Sequence, residues 1–228
     1  MLPLAILAGG LATRMRPLTE KIPKSLLDVA GDPFIFHQLR LLRSQDIHDV
    51  VLCVGYLGEM ITERVGGGEA FGLRVRYSYD GPRLLGTAGA LRQALPLLGR
   101  AFFVLYGDSY LACDYKAVQM AFERSGKPAL MTVYHNQGQY DSSNVVFQQG
   151  SITCYDKKNA WPGMSYIDYG LGILQSRVLE ELPTGEPADL ADVYTKLVQE
   201  GMLAGYEASE RFYEIGSPAG LAELAAIL

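Results

Sequence analysis

Short uninterrupted apolar runs, each closed by glycine, most constrain how this chain can fold. Asp49 to Gly55 reads Asp-Val-Val-Leu-Cys-Val-Gly, and Ala101 to Tyr106 is stopped by Gly107-Asp108. Runs of this kind read as strands covered on both faces, the usual state of parallel strands. Pro3 to Ala8 is a similar run, and Leu73 to Tyr79 alternates as a strand does. Helical segments fall between them. One follows Gly31-Asp32-Pro33, with Asp32 as N-cap and Pro33 at the first helical position, and ends near Gln45. Its pattern gives Phe34, Leu39, Leu41 and Leu42 to the core and leaves Gln38, Arg40 and Arg43 for water, with His37 on a helix face. A second helix runs from about Gly58 to Val65, and Gly86-Thr87-Ala88-Gly89-Ala90-Leu91 opens a third. Strands alternating with helices imply an α/β fold with helices on both faces of the sheet. Ligands then bind beyond the carboxyl ends of the strands, where both Gly9 and Asp108 fall.

The rhythm changes in the second half. A helix from Asp114 to about Arg124 and a strand from Ala129 to His135 lead to a polar connection, Gly138 to Ser143. Asn144 to Gln148 and Ser151 to Asp156 then alternate like a hairpin about Gln149-Gly150. Tyr169 to Leu174 is a further strand, and Ala188 or Asp189 caps a helix running to about Gln199. Leu203 to Glu207 and Phe212 to Ile215 are short strands before a terminal helix opened by Pro218. A chain of 228 residues without an internal repeat fits one domain over residues 1–228, with no C-terminal β-helix. Leu221, Leu224, Ile227 and Leu228 of the last helix suit either a homodimer contact or packing on the chain's own sheet.

Charge separates the first loop from the rest. From Met1 to Lys24 the cations are Arg14, Arg16, Lys21 and Lys24 against the one acid Glu20, a balance of +3 on a chain of net charge −5. A cationic loop on an acidic chain points to a local anionic ligand and away from a nucleic-acid partner. Gly9-Gly10 strengthens that reading, because consecutive backbone N–H groups without Cβ atoms form an anion-binding concavity suited to phosphate. No segment reads as a signal peptide or membrane span. Cys53, Cys113 and Cys154 are odd in number and widely spaced, which suits reduced thiols and a cytoplasmic setting.

Several chemistries drop out. Lys24 lies too far beyond Gly10 for a P-loop, and no G-x-G-x-x-G follows the first strand. The histidines are His37, His48 and His135, and no G-x-S-x-G elbow is present. A hydroxyl nucleophile needs a base to take its proton. A phosphate monoester needs none, since its second pKa of about 6 leaves it largely ionised at neutral pH. Such a reaction asks for positioning, cation clamps and a metal, and Arg14, Lys24 and Asp108 are the residue types for that.

The pattern Leu-Ala-Gly-Gly-x-x-Thr-Arg-x-Arg-Pro-Leu-Thr over residues 7–19, followed by Pro23-Lys24-Ser25-Leu26, resembles the signature of the sugar-1-phosphate nucleotidyltransferases. Gly86-Thr87-Ala88-Gly89-Ala90, Leu105-Tyr106-Gly107-Asp108, Asp156-Lys157, Tyr169-Gly170 and Phe212-Tyr213-Glu214-Ile215-Gly216-Ser217-Pro218 fall in that family's order, so the resemblance covers nearly the whole chain. It implies a Rossmann-like nucleotidyltransferase fold with a mixed, mostly parallel central sheet. It also implies an Mg²⁺-dependent reaction between a nucleoside triphosphate (NTP) and a sugar 1-phosphate, giving a nucleoside-diphosphate sugar and pyrophosphate. By position, Leu7 and Gly9 would contact the base, and Gly10, Leu11, Ala12, Thr13 and Arg14 would wrap the triphosphate. Arg14 would neutralise the leaving pyrophosphate, and Lys24 would bridge the α-phosphate and the sugar phosphate. Asp80, Gly86 and Thr87 would border base and ribose, and Asp108 and Glu214 would hold Mg²⁺. Asn144, Asp156, Lys157 and Gly170 would bind the sugar phosphate.

Two positions depart from the family's pattern. Ala12 stands where glycine is usual, and Glu214 where the second metal-binding aspartate is usual. The layout is most similar to heptose- or hexose-1-phosphate guanylyltransferases, and the uridylyltransferases of hexose and amino-sugar phosphates are built nearly alike. Two readings compete with the enzyme. A glycosyltransferase consuming an NDP-sugar would carry Asp-x-Asp where this chain has Asp108-Ser109-Tyr110. A non-catalytic nucleotide-sugar-binding subunit would explain Ala12 and Glu214, but Arg14, Lys24 and Asp108 are retained together.

Overall fold

The computed structural model describes residues 1–140 and 142–228. Its first half contains β1 (Leu4–Leu7), β2 (Asp28–Val29), β3 (Asp32–Pro33), α1 (Phe34–Ser44), β4 (Asp49–Val54) and α2 (Gly58–Val65). β5 (Arg74–Tyr79), α3 (Gly86–Leu98), β6 (Ala101–Tyr106), β7 (Ser109–Tyr110) and α4 (Tyr115–Ser125) follow. The second half contains β8 (Ala129–His135), β9 (Val145–Gln148), β10 (Ser151–Tyr155), β11 (Tyr166–Gln175) and α5 (Arg177–Glu180). It ends with α6 (Leu190–Gln199), β12 (Leu203–Ala208), β13 (Tyr213–Glu214) and α7 (Pro218–Ala225).

Nine strands form one sheet in the order β5-β4-β1-β6-β11-β8-β12-β10-β9. β5, β4, β1 and β6 are mutually parallel, β11 runs antiparallel to both β6 and β8, and β12 is parallel to β8. β10 is antiparallel to both β12 and β9, so the sheet is mixed, as expected, with parallel and antiparallel neighbours in equal number along the strand order. Successive side chains on a strand point to opposite faces. Leu4 and Ile6 of β1, with Val50, Leu52 and Val54 of β4, join the core under α1, α2 and α4. Ala5, Val51 and Cys53 join the core under α3 and α6. This two-sided burial is why the central strands carry no polar alternation.

A third, smaller core of Val29, Phe34, Ile215 and Leu224 lies where α7 packs on β2 and β13. The terminal helix thus packs within its own chain, on a two-stranded annex and not on the main sheet, while Ile227 and Leu228 stay exposed. The annex matters for the site: β13 pairs antiparallel with β7, setting Glu214 opposite Ser109 and next to Asp108.

Three local expectations change. Asp32 and Pro33 do not start α1; they pair with Asp28 and Val29 across a tight turn in which Ala30 and Gly31 have φ of 53° and 91°. Pro33 becomes the N-cap, and the Asp32 carboxylate pairs with Arg40 at 2.7 Å. Gln38 does not face water. It is buried, with Nε2 donating to the backbone oxygens of Tyr106 (3.2 Å) and Ser109 (2.7 Å), so it fastens α1 to the loop carrying Asp108. The strand expected at Tyr169 to Leu174 begins earlier, at Tyr166, which pairs with His135 and Val145, and its register shifts between Asp168 and Gly172, where Gly170 has φ 92°. Of the expected connection 138–143, residue 141 lies outside the described residues; Tyr140 packs on Phe212 and Tyr134 with ring centroids 5.6 and 5.9 Å apart.

Candidate active site

The loops leaving β5, β4, β1 and β6 lie side by side, and their order sets the site. Gly9 and Gly55 face each other closely: a Cβ on Gly9 would sit 2.9 Å from Gly55 N, and one on Gly55 2.9 Å from Gly9 O. Gly107 donates its N–H to Leu7 O at 3.0 Å, and a Cβ there would lie 2.4 Å from the same oxygen. Only glycine lets these three backbones converge. The loop after Gly10 turns through Ala12 at φ 47°, ψ 44° into a 3₁₀ turn, Thr13–Met15. Met15 is buried and pins the turn, and the Ala12 carbonyl accepts from Met15 N (3.0 Å) and Thr19 Oγ1 (2.9 Å). Arg14 is left exposed at the mouth of a pocket.

That pocket is lined by Leu7, Gly9, Gly10, Leu11, Ala12, Thr13, Arg14, Lys24, Asp80, Gly86, Thr87 and Asp108, which are all the residues expected at the nucleotide. Leu84, Cys53, Ala90, Ser25 and Tyr106 line it too and were not foreseen. A second, more polar pocket continues from Arg14 and Asp108 along β11. It is lined by Asn144, Asp156, Lys157 and Gly170, every residue expected at the sugar phosphate, together with Glu214, expected at the metal, and with Tyr106, Asp168 and Phe212. Arg14 and Asp108 belong to both.

Lys24 Nζ donates to Asp108 Oδ2 at 2.7 Å, with side chains 15% and 29% exposed. Among the described residues no group of three or more His, Cys, Asp or Glu side chains is placed to hold a metal. Asp108 and Glu214 supply two carboxylates to one pocket. That donor set fits Mg²⁺, which at phosphate sites takes one or two carboxylates and leaves the remaining positions to phosphate and water.

Other side chains have settled structural partners. Thr87 Oγ1 donates to Asp189 Oδ1 (2.9 Å) and accepts from Leu190 N (2.7 Å), tying α3 to the start of α6. The Asp156 carboxylate accepts from the Asn159 amide and from the N–H groups of Lys158 and Asn159, which hold its pKa below the usual range. Its visible job is to shape the loop that presents Lys157. Asn144 Oδ1 accepts from Asp168 N at 2.9 Å.

Asp168 is the residue that sequence reasoning missed. Its side chain is 5% exposed, Oδ1 accepts from Gly170 N (3.1 Å), and Oδ2 accepts from Tyr155 OH (3.3 Å) and lies 3.7 Å from Lys157 Nζ. Burial first, and this carboxylate second, push the phenols of Tyr106 and Tyr155 far above their ordinary range, so both stay protonated. A lone acid inside the apolar run Tyr166–Gln175 was the available signal. Near the other end, lost hydration raises the pKa of Asp80, against a hydrogen bond from Leu85 N. Burial and then the Asp80 charge push the Cys53 thiol up to about 12.

Glycine-built strand ends, two cations and two carboxylates at the junction of an apolar-walled and a polar pocket define an α/β protein that handles two phosphate-bearing ligands together. The chain belongs to the Nucleotidyl transferase family, whose pattern spans residues 4–227. It is 31% identical to N-acetylmuramate alpha-1-phosphate uridylyltransferase of Neisseria meningitidis, over 97% of this chain and 96% of the relative. It is 30% identical to UTP–glucose-1-phosphate uridylyltransferase of Synechocystis and to mannose-1-phosphate guanylyltransferase catalytic subunit beta of Xenopus tropicalis, over 86% and 93% of this chain. The matches span 55% and 61% of the lengths of those two relatives. The fold is shared with a Bacillus anthracis protein crystallised with sucrose (TM-score 0.86, 24% identity, 100% and 95% of the two chains). It is also shared with HddC from Yersinia pseudotuberculosis complexed with GMP-PN (TM-score 0.81, 22% identity, 100% and 99%).

Proposed function

We propose that this chain transfers a nucleotidyl group from an NTP to a sugar 1-phosphate, releasing pyrophosphate, with Mg²⁺ as cofactor. The observation that carries this reading is the junction of the two pockets at Arg14, Lys24 and Asp108. A nucleotide in the first pocket brings its phosphates there from one side, and a sugar phosphate in the second brings its own from the other. A phosphate oxygen of the sugar 1-phosphate attacks the α-phosphorus in line. The new O–P bond forms as the bond from the α-phosphorus to the bridging oxygen breaks, and that electron pair leaves on pyrophosphate. No proton changes hands, which suits a site without histidine.

Lys24 lies 2.7 Å from Asp108, placed to draw two mutually repelling phosphates together. Arg14 meets charge that develops on the leaving group. Asp108 and Glu214 would hold Mg²⁺, which when bound supplies charge neutralisation on the phosphate oxygens. Three unpaired thiols and the need for NTP suit a cytoplasmic reaction.

For the donor and acceptor, GTP with a heptose- or mannose-type 1-phosphate is the first reading. A second, uridylyl transfer to a hexose or amino-sugar 1-phosphate, is favoured by the relative of nearly equal length from Neisseria meningitidis. The test is pyrophosphate release with each of four NTPs against a panel of sugar 1-phosphates, with Mg²⁺ and with EDTA. Turnover with one pair and its loss in EDTA is the expected result. Nucleotide binding without turnover for any pair would turn the reading to a non-catalytic binding subunit.

A further inference from the structure

Two segments far apart in sequence line the second pocket: the connection carrying Ser142 and Ser143, and β13 carrying Glu214. The connection is organised around Asn136, which is fully buried. Its carbonyl accepts from Gln139 N (2.9 Å), Oδ1 accepts from Tyr140 N (3.2 Å), and Nδ2 donates to Ser143 Oγ (3.2 Å). Tyr140 is thereby tied to the part of the chain that reaches the pocket. On the other side, Glu214 sits opposite Ser109, and Ile215 N donates to Asp108 O at 2.9 Å.

Arg211 spans the two segments. Its guanidinium carbon stands 4.5 Å from the centre of the Tyr140 ring and 4.7 Å from that of Tyr213, and Nη2 pairs with Glu223 of α7. A planar guanidinium stacks on aromatic faces as well as attracting them, which an ammonium does not. Phe212 does a different job. Its ring meets those of Tyr134, Tyr140 and Tyr169 at 5.9, 5.6 and 6.1 Å, so it joins the connection to β8 and β11. Arg211 joins the same tyrosine to β13 and α7. Tyr140 is 40% exposed and the Arg211 side chain 34%. Contacts this near the surface open locally, and the stack decides whether the two segments open together or apart.

We propose that Arg211 is a positioning residue that couples the connection bearing Ser142 and Ser143 to the carboxylates of Glu214 and Asp108. The coupling is a property of the ligand-free protein. Its consequence for the acceptor rests on the proposed reading of the second pocket: a sugar phosphate that orders the connection also favours Glu214 in its place beside Asp108. Such a coupling acts equally in both directions.

Hydrogen exchange of the ligand-free protein tests it at two amides, Tyr140 N and Ile215 N. Arg211→Met keeps an apolar stem and removes both cation–ring contacts, and exchange should quicken about 5- to 30-fold at both amides. Tyr140→Leu should quicken exchange at Ile215, and Tyr213→Leu should quicken it at Tyr140. Arg211→Lys, with the charge but not the plane, should fall between wild type and Arg211→Met. Amides in the ladders of β1, β4 and β6 should keep their rates throughout, which a merely structural role would not allow. Quickening at one amide only, no response of Ile215 to Tyr140→Leu, or equal quickening across the sheet would overturn the proposal. In turnover, Arg211→Met should raise KM for the sugar 1-phosphate by a similar factor and leave KM for the NTP within about two-fold. An unchanged KM for the sugar 1-phosphate would also overturn it. Coupled exchange without turnover of any NTP and sugar 1-phosphate pair would sink the transfer reading and leave the coupling standing.

Discussion

Ala12 holds a left-handed conformation, φ 47° and ψ 44°, that a Cβ disfavours by about 1 kcal/mol or more. Its carbonyl is fixed by Met15 N and Thr19 Oγ1, so the loop cannot relax without giving up both bonds. Ala12→Gly should therefore stabilise the fold by on the order of 1 kcal/mol, raising Tm by about 2–4 °C in calorimetry; an unchanged or lower Tm would mean that the backbone is not strained there. At the other residue of this loop system, Lys24→Ala should cut the rate of pyrophosphate release by about 10²- to 10³-fold with the far-UV circular dichroism unchanged. Asp108→Ala should do the same, because it removes the carboxylate that pairs with Lys24 and would hold Mg²⁺. Near-normal kinetics in either variant would take that residue out of the mechanism. Both residues were readable in the sequence since each sits in a run whose neighbours are dictated by backbone approach. Gln38 and Asp168 were not, because a polar residue on an apolar face shows its purpose only when the facing groups, here Tyr106 O, Ser109 O and Lys157, are known.

The element that does most to fix the carboxylates of Asp108 and Glu214 is α7, none of whose residues lines either pocket. Ser217 caps it by accepting from Gly220 N, and Leu224 packs with Val29, Phe34 and Ile215. Ile215 N donates to Asp108 O at 2.9 Å, so this small core fixes Glu214 and Asp108 relative to each other. A Cβ on Gly220 would lie 2.2 Å from Glu214 O, which shows how close the helix comes. Leu224→Ala should cost about 2–4 kcal/mol if the annex unfolds with the sheet. Its sharper sign is a rise in the Mg²⁺ concentration giving half-maximal rate, with nucleotide binding measured without metal unaltered. Equal losses in both would mean that the annex supports the whole site and not these two carboxylates in particular. The central strands were legible because they are covered on both faces, and the terminal helix because Pro218 marks its start. β13 falls within the strand expected at Phe212 to Ile215, but its partner β7 was not legible, since two residues carry no period and the pairing spans 103 positions from Tyr110 to Tyr213 and 105 from Ser109 to Glu214.

Across the whole molecule the strand order places the two pockets on different halves of one sheet. The first pocket is built on β5, β4, β1 and β6, whose parallel order follows from the alternating helices and was foreseen. The second pocket rests on β11, whose reversal between β6 and β8 brings Asp168, Tyr169 and Gly170 beside Asp108. That reversal follows from the order of strands, which local pattern does not encode, so the sugar side was reached through the resemblance alone. Separate halves should have separable binding. Lys157 Nζ stands over the Tyr106 ring at 5.1 Å, with its side chain 41% exposed, and is held there by Asp168. An ammonium in that position contributes one charge-assisted hydrogen bond to a bound phosphate, worth about 1.5–3 kcal/mol. Lys157→Ala should thus raise KM for the sugar 1-phosphate about 10- to 100-fold while leaving KM for the NTP within about two-fold. A matching rise in KM for the NTP would show that the two pockets are read as one site and that the division along the sheet has no counterpart in binding.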